Sequence, residues 1–123
     1  MEIPPEKKYI ALKTFKKNGD GVVTPVWYVK EENSLWVTTR KKTAKVKRIR
    51  NNNKVQIAIS DFSGNPKGQW FYGIAKIVEG DVAKRAIRLR NKKYGFMSKV
   101  VSLFSSSKGD YVVYHIEDEF QDK

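Results

Sequence analysis

Short segments that alternate apolar and polar residues, separated by clusters of turn residues, recur along this chain and restrict it to a mostly β fold. The turn signals include Lys17–Gly21 and Glu31–Ser34, whose small polar residues suit tight connections. Six strands are predicted in this way: Tyr9–Phe15, Val22–Lys30, Leu35–Thr39, Lys54–Ser60, Gln69–Val78 and Tyr111–Ile116. Pro25 lies inside the second strand. Because proline lacks the N–H that a ladder needs, we expect it at a sheet edge, at a bulge or beside a ligand.

The pattern changes to helical spacing in two places. Between Arg40 and Asn53, apolar residues stand among basic ones and three asparagines close the segment, which predicts a short helix. Apolar residues recur at helical spacing from Val82 to Ile87 and again from Met97 to Phe104, so a helical pair broken near Gly95 is predicted before the last strand. The predicted class is α+β, mostly β: a small closed or half-closed barrel with helices packed on it.

Length and composition exclude several classes of protein. The 123 residues, 40% of them hydrophobic, suffice for one folded domain spanning residues 1–123. The absence of cysteine excludes disulfides, thiolate metal sites and a cysteine nucleophile, and it fits a reducing cytoplasm. The single histidine excludes a multi-histidine zinc site, so no metal is predicted. No apolar run approaches the roughly 18 residues of a membrane helix, so no membrane partner is expected.

Strong positive charge indicates an anionic partner. The chain has 25 Lys and Arg against 13 Asp and Glu, a formal net charge of +12. Seven of these cations fall within the eleven residues from Arg40 to Arg50, where Val46 and Ile49 are expected to pack on the barrel. A second basic group is interpreted as solvated helix surface that could extend a path for a polyanionic tail: Lys84, Arg85, Arg88, Arg90, Lys92 and Lys93.

The first basic group has the spacing of a phosphate site. On a helix, Lys41, Lys45 and Arg48 share one face, and Thr39 and Thr43 stand where the helix should begin. Free N–H groups at a helix start, the positive end of its dipole and nearby cations together favour phosphate. The alternative is a solvated basic face, and the charge run by itself does not decide between the two.

Several segments, taken in order, carry a resemblance to a known family: Lys13–Gly19, Thr24–Val29, Leu35–Thr39, Thr43–Arg50 and Lys92–Gly95. In this combination the chain resembles the pyridoxamine 5'-phosphate oxidase-like split β-barrel superfamily, and more narrowly its branch of coenzyme F-420-dependent oxidoreductases. The resemblance covers residues 8–114. It implies a six-stranded split barrel and a homodimer whose interface holds FMN or coenzyme F-420.

The resemblance also assigns site residues. The second strand would line the cofactor ring, and the end of the third strand with the short helix would hold the phosphate; Lys45 matches the phosphate lysine of the family's Ser/Thr-x-Lys pattern. The cofactor-binding residues predicted in this way are Thr24, Pro25, Val26, Trp27, Thr38, Thr39, Lys45 and Arg48. The family usually closes this helix with Asn and then Asp-Pro, whereas Arg48 and Asn52-Asn53 occupy those places here. No catalytic residue is assigned.

The other conspicuous side chains are assigned to packing. Trp36 and Trp70 are interpreted as core or dimer-packing residues, while Trp27 suits the core and a cofactor contact equally. His115 alternates with Tyr111 and Val113 along its strand, so it is interpreted as a partly buried, hydrogen-bonded residue without a catalytic role.

Flavin and deazaflavin chemistry needs no protein nucleophile, because the cofactor carries the hydride. The leading hypothesis is an oxidoreductase acting on a small organic substrate, with coenzyme F-420 preferred on the branch resembled and FMN close behind. One alternative is a flavin-binding or sequestering protein without catalysis. Another is a basic β-barrel that binds single-stranded nucleic acid. Nucleic acid is the less favoured partner because the tryptophans alternate on strands as core residues do.

Overall fold

The computed structural model describes residues 2–40, 44–95 and 111–118. These contain β1 (Ile10–Phe15), β2 (Gly21–Val26), β3 (Tyr28–Glu31), β4 (Ser34–Arg40), α1 (Ala44–Asn51), β5 (Lys54–Ile59), β6 (Phe71–Val78), α2 (Gly80–Tyr94) and β7 (Tyr111–Asp118). The seven strands form one antiparallel sheet in the order β2-β1-β5-β6-β7-β4-β3. The sheet curls until β2 approaches β4, which makes a half-barrel. The predicted class, α+β and mostly β, is confirmed.

The predicted number of six strands is wrong because the second predicted strand, Val22–Lys30, divides at Trp27. Its first part, β2, pairs with β1 at one edge of the sheet, and its second part, β3, pairs with β4 at the other. The predicted helix start at Arg40 is also wrong, since Arg40 ends β4 opposite Tyr111 of β7. The length of β4 depends on how far β7 continues beside it, and the basic residues after Thr39 carry no information about that pairing. Sequence periodicity therefore ended the strand and began the helix too early.

The main core fills the concave side of the curled sheet. Ile10 and Leu12 alternate inward along β1 and are fully buried. From α1, Val46 and Ile49 enter the same cluster, as the sequence predicted. The remaining buried members are Ile3, Val26, Tyr28, Leu35, Val37, Val55, Ile57, Ala75, Val112, Tyr114 and Ile116.

A second, smaller core lies under α2. This helix packs on β3, β4 and β7 and buries Ala86 against Trp36 and Val113. Trp36 is only 7% exposed, so its interpretation as a packing residue is confirmed. Trp70 is half-buried, and the Lys13 Nζ lies 4.4 Å from its ring centroid. The convex side of the sheet is therefore partly covered by a helix whose other face is open to solvent.

Some predicted features lie outside the described residues: the second helix of the pair (Met97–Phe104), Lys41 and Thr43. The first helix of the pair is α2, which ends as predicted at Gly95. There the backbone N–H of Gly95 donates to the Asn91 carbonyl at 2.9 Å, with φ at +52°. Neither α1 nor α2 combines the length and the apolar character that a bilayer-crossing helix requires.

A close approach at Gly64 holds the Asp61–Gly68 loop against β2. Gly64 has φ of +88°, and an added Cβ would lie 3.1 Å from Pro25 Cδ. We expect Gly64→Ala to lower the free energy of unfolding by about 1–3 kcal/mol, because it combines backbone strain with crowding. Urea unfolding measures this loss. Gly68→Ala, where a Cβ meets nothing within 4 Å, is the control, and an equal loss there would contradict the explanation.

Candidate functional site

Pro25 marks the edge of the sheet where the candidate site begins. It lies in β2, the outermost strand at this end, and faces Ala11 of β1. An edge position tolerates the missing N–H, which confirms one of the placements expected for this proline. Directly after it, at Trp27, the chain leaves β2 for β3. Trp27 therefore lies where the chain passes between the two edge strands of the sheet, β2 and β3, which are not paired with each other and leave a gap.

A pocket of about 260 Å³ lies in this gap. We call it the Trp27 pocket, and its lining residues are Pro25, Val26, Trp27, Thr38, Thr39, Lys45, Arg90 and Tyr111. Six of the eight predicted cofactor-binding residues are thus brought together around one space. They come from β2, the β2–β3 junction, β4 and α1. The volume is slightly below the roughly 300–1,000 Å³ of typical small-ligand sites, so a ligand would be only partly enclosed.

Two predicted site residues, Thr24 and Arg48, lie outside this lining. The Arg48 Nε donates to the buried Thr14 Oγ1 at 2.6 Å, which ties α1 to β1. The Thr24 hydroxyl is buried and has no hydrogen-bond partner among the described residues. Arg48 therefore holds the helix that carries Lys45, rather than lining the pocket itself.

The pocket contains two half-buried cations. Lys45 enters from α1, and burial, with a smaller contribution from Arg48, lowers the pKa of its amine. Arg90 enters from α2, and burial lowers the pKa of its guanidinium. Desolvated cations without a carboxylate beside them are costly, and an anion that enters the pocket relieves this cost. The electrostatics of the site therefore favour an anionic ligand group.

Sequence reasoning missed Tyr111, and its interpretation of Arg90 as solvated helix surface is wrong, because Arg90 is half-buried and lines the pocket. The Arg90 Nη1 donates to Thr38 Oγ1 at 3.2 Å, and its guanidinium lies 5.3 Å from the centroid of the Tyr111 ring. A signal for Arg90 was present, because it stands four residues from both Ala86 and Tyr94, the buried residues of α2. An arginine on that buried stripe must face the protein and not the solvent. No comparable signal marks Tyr111.

Trp27 is supported from behind by Tyr94. The two rings stack with centroids 4.2 Å apart and an interplanar angle of 6°. The Tyr94 hydroxyl accepts from the Tyr28 N–H at 2.9 Å and donates to the Lys8 carbonyl at 2.7 Å. Tyr94 therefore joins the N-terminal segment, the start of β3 and the end of α2, and it fixes one face of the Trp27 ring.

Lys93 is predicted to make the stability of the protein depend on pH in the alkaline range. Its Nζ donates to the Tyr28 carbonyl at 2.8 Å and lies 3.6 Å from the Tyr28 ring centroid, and burial lowers its pKa from 10.5 to about 8. Between pH 8 and 10 the unfolded chain binds more protons at this residue, so stability should rise across that window. Solvent screening keeps the gain to about 1 kcal/mol or less.

Urea unfolding at pH 7.5 and 9.5 measures this response, with Lys93→Met as the comparison. The rise in the free energy of unfolding between these two pH values should be smaller in Lys93→Met. Above pH 10 the trend should reverse, since burial raises the pKa of Tyr28 to about 12 and the folded state then disfavours its phenolate. An identical rise between pH 7.5 and 9.5 in both proteins would contradict the role given to Lys93.

His115 is remote from this chemistry. Its ring packs on Trp36 with centroids 4.3 Å apart, and its Nδ1 lies 3.4 Å from Glu117 Oε1. It is partly buried on β7, as the sequence predicted. In residues 2–40, 44–95 and 111–118, no three His, Asp or Glu side chains are grouped to hold a metal ion.

Comparison with known protein families identifies the family of this chain. The sequence model of the pyridoxamine 5'-phosphate oxidase family matches residues 1–119. The half-barrel with a pocket at its open edge is a split-barrel fold, and this chain is a member of the pyridoxamine 5'-phosphate oxidase family. The narrower F-420 branch is not distinguished by this match. No curated protein sequence matches the chain at a significant level.

Solved structures share the fold at low sequence identity. HutZ, the heme storage protein of Vibrio cholerae, is 18% identical with a TM-score of 0.72, covering 93% of this chain and 83% of its own. The conserved hypothetical protein Rv2991 of Mycobacterium tuberculosis is 20% identical with a TM-score of 0.71, covering 94% and 75%. A heme binding protein of Mycobacterium smegmatis is 15% identical with a TM-score of 0.67, covering 92% and 47%. These likenesses show the fold alone.

Proposed function

We propose that this chain is an oxidoreductase that binds a phosphate-bearing flavin or deazaflavin, FMN or coenzyme F-420, in the Trp27 pocket. The observation that carries the proposal is the meeting, in one small space, of two half-buried cations, Lys45 and Arg90, with Trp27, whose ring stacks on Tyr94. Cationic donors suit a phosphate, and a flat aromatic surface suits a fused ring. Membership of the pyridoxamine 5'-phosphate oxidase family supports the same ligand class.

The residues present fit such a cofactor. Lys45 and Arg90 would hold its phosphate together with the hydroxyls of Thr38 and Thr39, and Trp27 would contact its ring. When bound, the cofactor supplies hydride transfer to or from a small organic substrate. The chain's own part is to orient these groups, to exclude water and to balance the phosphate charge. Arg90 already donates to Thr38, so one donor is positioned before a ligand enters.

Titration of the purified chain with FMN, coenzyme F-420, riboflavin and hemin tests the proposal. Riboflavin is the matched control because it has the flavin ring without the phosphate. We expect FMN or coenzyme F-420 to bind at least about tenfold more tightly than riboflavin, since each charge-assisted hydrogen bond to phosphate stabilises by ~1.5–3 kcal/mol. Saturable hemin binding with no uptake of any flavin would contradict the proposal and point to the activity named for HutZ.

Catalysis needs a separate test because a sequestering protein would use the same pocket. The chain loaded with the reduced cofactor is mixed with quinone and nitroaromatic acceptors, and cofactor oxidation is followed by absorbance. An oxidoreductase should oxidise its cofactor faster than the free cofactor reacts. Equal rates with and without the protein would leave binding intact and remove the enzymatic part of the proposal.

The proposed assembly is a homodimer. Residues paired across four neighbouring strands place exposed Val23 of β2 and exposed Tyr72 of β6 in one row on the convex face, with Lys13 and Gln56 between them. Val23 is 39% exposed and Tyr72 52%. Light scattering after size exclusion measures the mass. Tyr72→Lys should shift it toward the monomer if this row is the interface.

A further inference from the structure

α2 carries six Lys and Arg and one acid, Asp81, and the structure divides these cations into two groups. Three of them have partners: Arg85 forms a two-point ion pair with Glu31, Arg90 lines the Trp27 pocket, and Lys93 donates to the Tyr28 carbonyl. The other three are Lys84, Arg88 and Lys92. All three are exposed, and none has an ion pair or hydrogen bond with another described residue.

These three cations form one line along the helix. Their spacing of four residues places them on the same side, opposite the buried Ala86. The line from Lys84 to Lys92 is about 12 Å long, because the two residues are eight positions apart and each position adds 1.5 Å along the helix. We call it the α2 cationic stripe. Like charges four residues apart destabilise a helix by ~0.2–0.5 kcal/mol per pair, and the one acid of α2, Asp81, lies before the stripe, three residues from Lys84.

We propose that the α2 cationic stripe binds the phosphate backbone of nucleic acid without reading base sequence. A strand of B-form DNA presents a phosphate about every 3.4 Å along the axis, so a stripe of about 12 Å spans three to four phosphates. The formal net charge of +12 adds long-range attraction for such a polymer. The stripe contains no aromatic residue, so binding needs no base stacking and differs from the single-strand barrel considered from the sequence.

Fluorescence anisotropy with a labelled mixed-sequence oligonucleotide, as duplex and as single strand, tests this inference. The test variant reverses the stripe (Lys84→Glu, Arg88→Glu and Lys92→Glu). The matched control reverses three other exposed lysines (Lys16→Glu, Lys17→Glu and Lys47→Glu) and lowers the net charge equally. Circular dichroism and the unfolding midpoint establish that both variants are folded.

The stripe variant should bind the duplex at least tenfold more weakly than the control variant at low salt. The logarithm of the association constant falls with the logarithm of the salt concentration, with a slope of about −0.9 for each phosphate contact. The three contacts of the stripe should therefore make this slope steeper by about 2–3 in the unsubstituted protein than in the stripe variant. The duplex should bind at least as tightly as the single strand. FMN titration of the stripe variant should be unchanged, because none of the three stripe residues lines the Trp27 pocket.

Three outcomes would overturn the inference. Equal weakening in the stripe and control variants would mean that net charge alone attracts the polymer. Binding restricted to the single strand would indicate base stacking elsewhere on the molecule. Binding to vesicles that contain anionic lipid, with no binding to either oligonucleotide, would assign the stripe to a membrane surface. None of these results would contradict the proposed cofactor site. A failure to bind flavin would likewise not contradict the proposal for the stripe.

Discussion

Replacing Lys45 by alanine is expected to weaken binding of FMN or coenzyme F-420 by tenfold or more, a loss of ~1.5 kcal/mol at least. The reason is that Lys45 is half-buried in the Trp27 pocket, where a charge-assisted hydrogen bond from its amine to the proposed phosphate would be only partly screened by water. The fold should be retained, because α1 is anchored by Val46 and Ile49 and by the Arg48 hydrogen bond to Thr14. Equilibrium titration followed by flavin fluorescence measures the dissociation constant.

Lys47→Ala is the matched control, since Lys47 stands on the same helix and is exposed. It removes the same charge and should change the dissociation constant less than twofold. Riboflavin affinity should be equal in the two variants, because no phosphate is present to report the loss. If Lys45→Ala binds FMN and coenzyme F-420 as tightly as the unsubstituted protein, the phosphate lies elsewhere and the proposed site is wrong.

Replacing Tyr94 by phenylalanine is expected to lower the free energy of unfolding by about 1–3 kcal/mol. The substitution keeps the ring that stacks on Trp27 but removes the hydroxyl that accepts from the buried Tyr28 N–H and donates to Lys8. A buried N–H left without an acceptor accounts for most of the loss. Urea unfolding followed by tryptophan fluorescence measures the change.

Tyr94→Ala separates the two contributions of this side chain. It removes the ring as well and should cost about 3–5 kcal/mol, as deletion of a buried aromatic ring commonly does. Cofactor affinity should fall in Tyr94→Ala, where Trp27 loses its support, and stay nearly unchanged in Tyr94→Phe. Similar stability in Tyr94→Phe and the unsubstituted protein would show that the hydroxyl network contributes nothing.

Local sequence patterns predicted most of the fold. Alternation and turn residues placed β1, β5 and β7 close to their observed bounds, because side chains of a half-buried strand must alternate between core and solvent. The missing N–H of Pro25 restricted it to a sheet edge, a bulge or a ligand contact, and the structure places it at the edge. The helical spacing of Val46 and Ile49 gave the buried face of α1. These features depend only on neighbours within a few residues.

The division of the second predicted strand at Trp27 could not be obtained in this way. Val22–Lys30 has uninterrupted strand character, and nothing local shows that its two halves pair with β1 and β4 at opposite edges of the sheet. The pairing partner of a strand is a long-range property that the residues of the strand do not encode alone. The same reason explains why Arg40 belongs to β4 and not to the following helix.

The candidate site divides in the same way. From the sequence by itself, Pro25, Thr38 and Lys45 are predicted cofactor-binding residues: all three through the family that the chain resembles, and Lys45 also through its place near the start of a basic helix. Only the tertiary structure decided that Arg90 and Tyr111 join them and that Arg48 does not line the pocket. The physical reason is that strand pairing and helix docking bring Arg90 and Tyr111 to residues that lie 45 to 86 positions earlier in the chain, and this depends on the packing of the whole sheet.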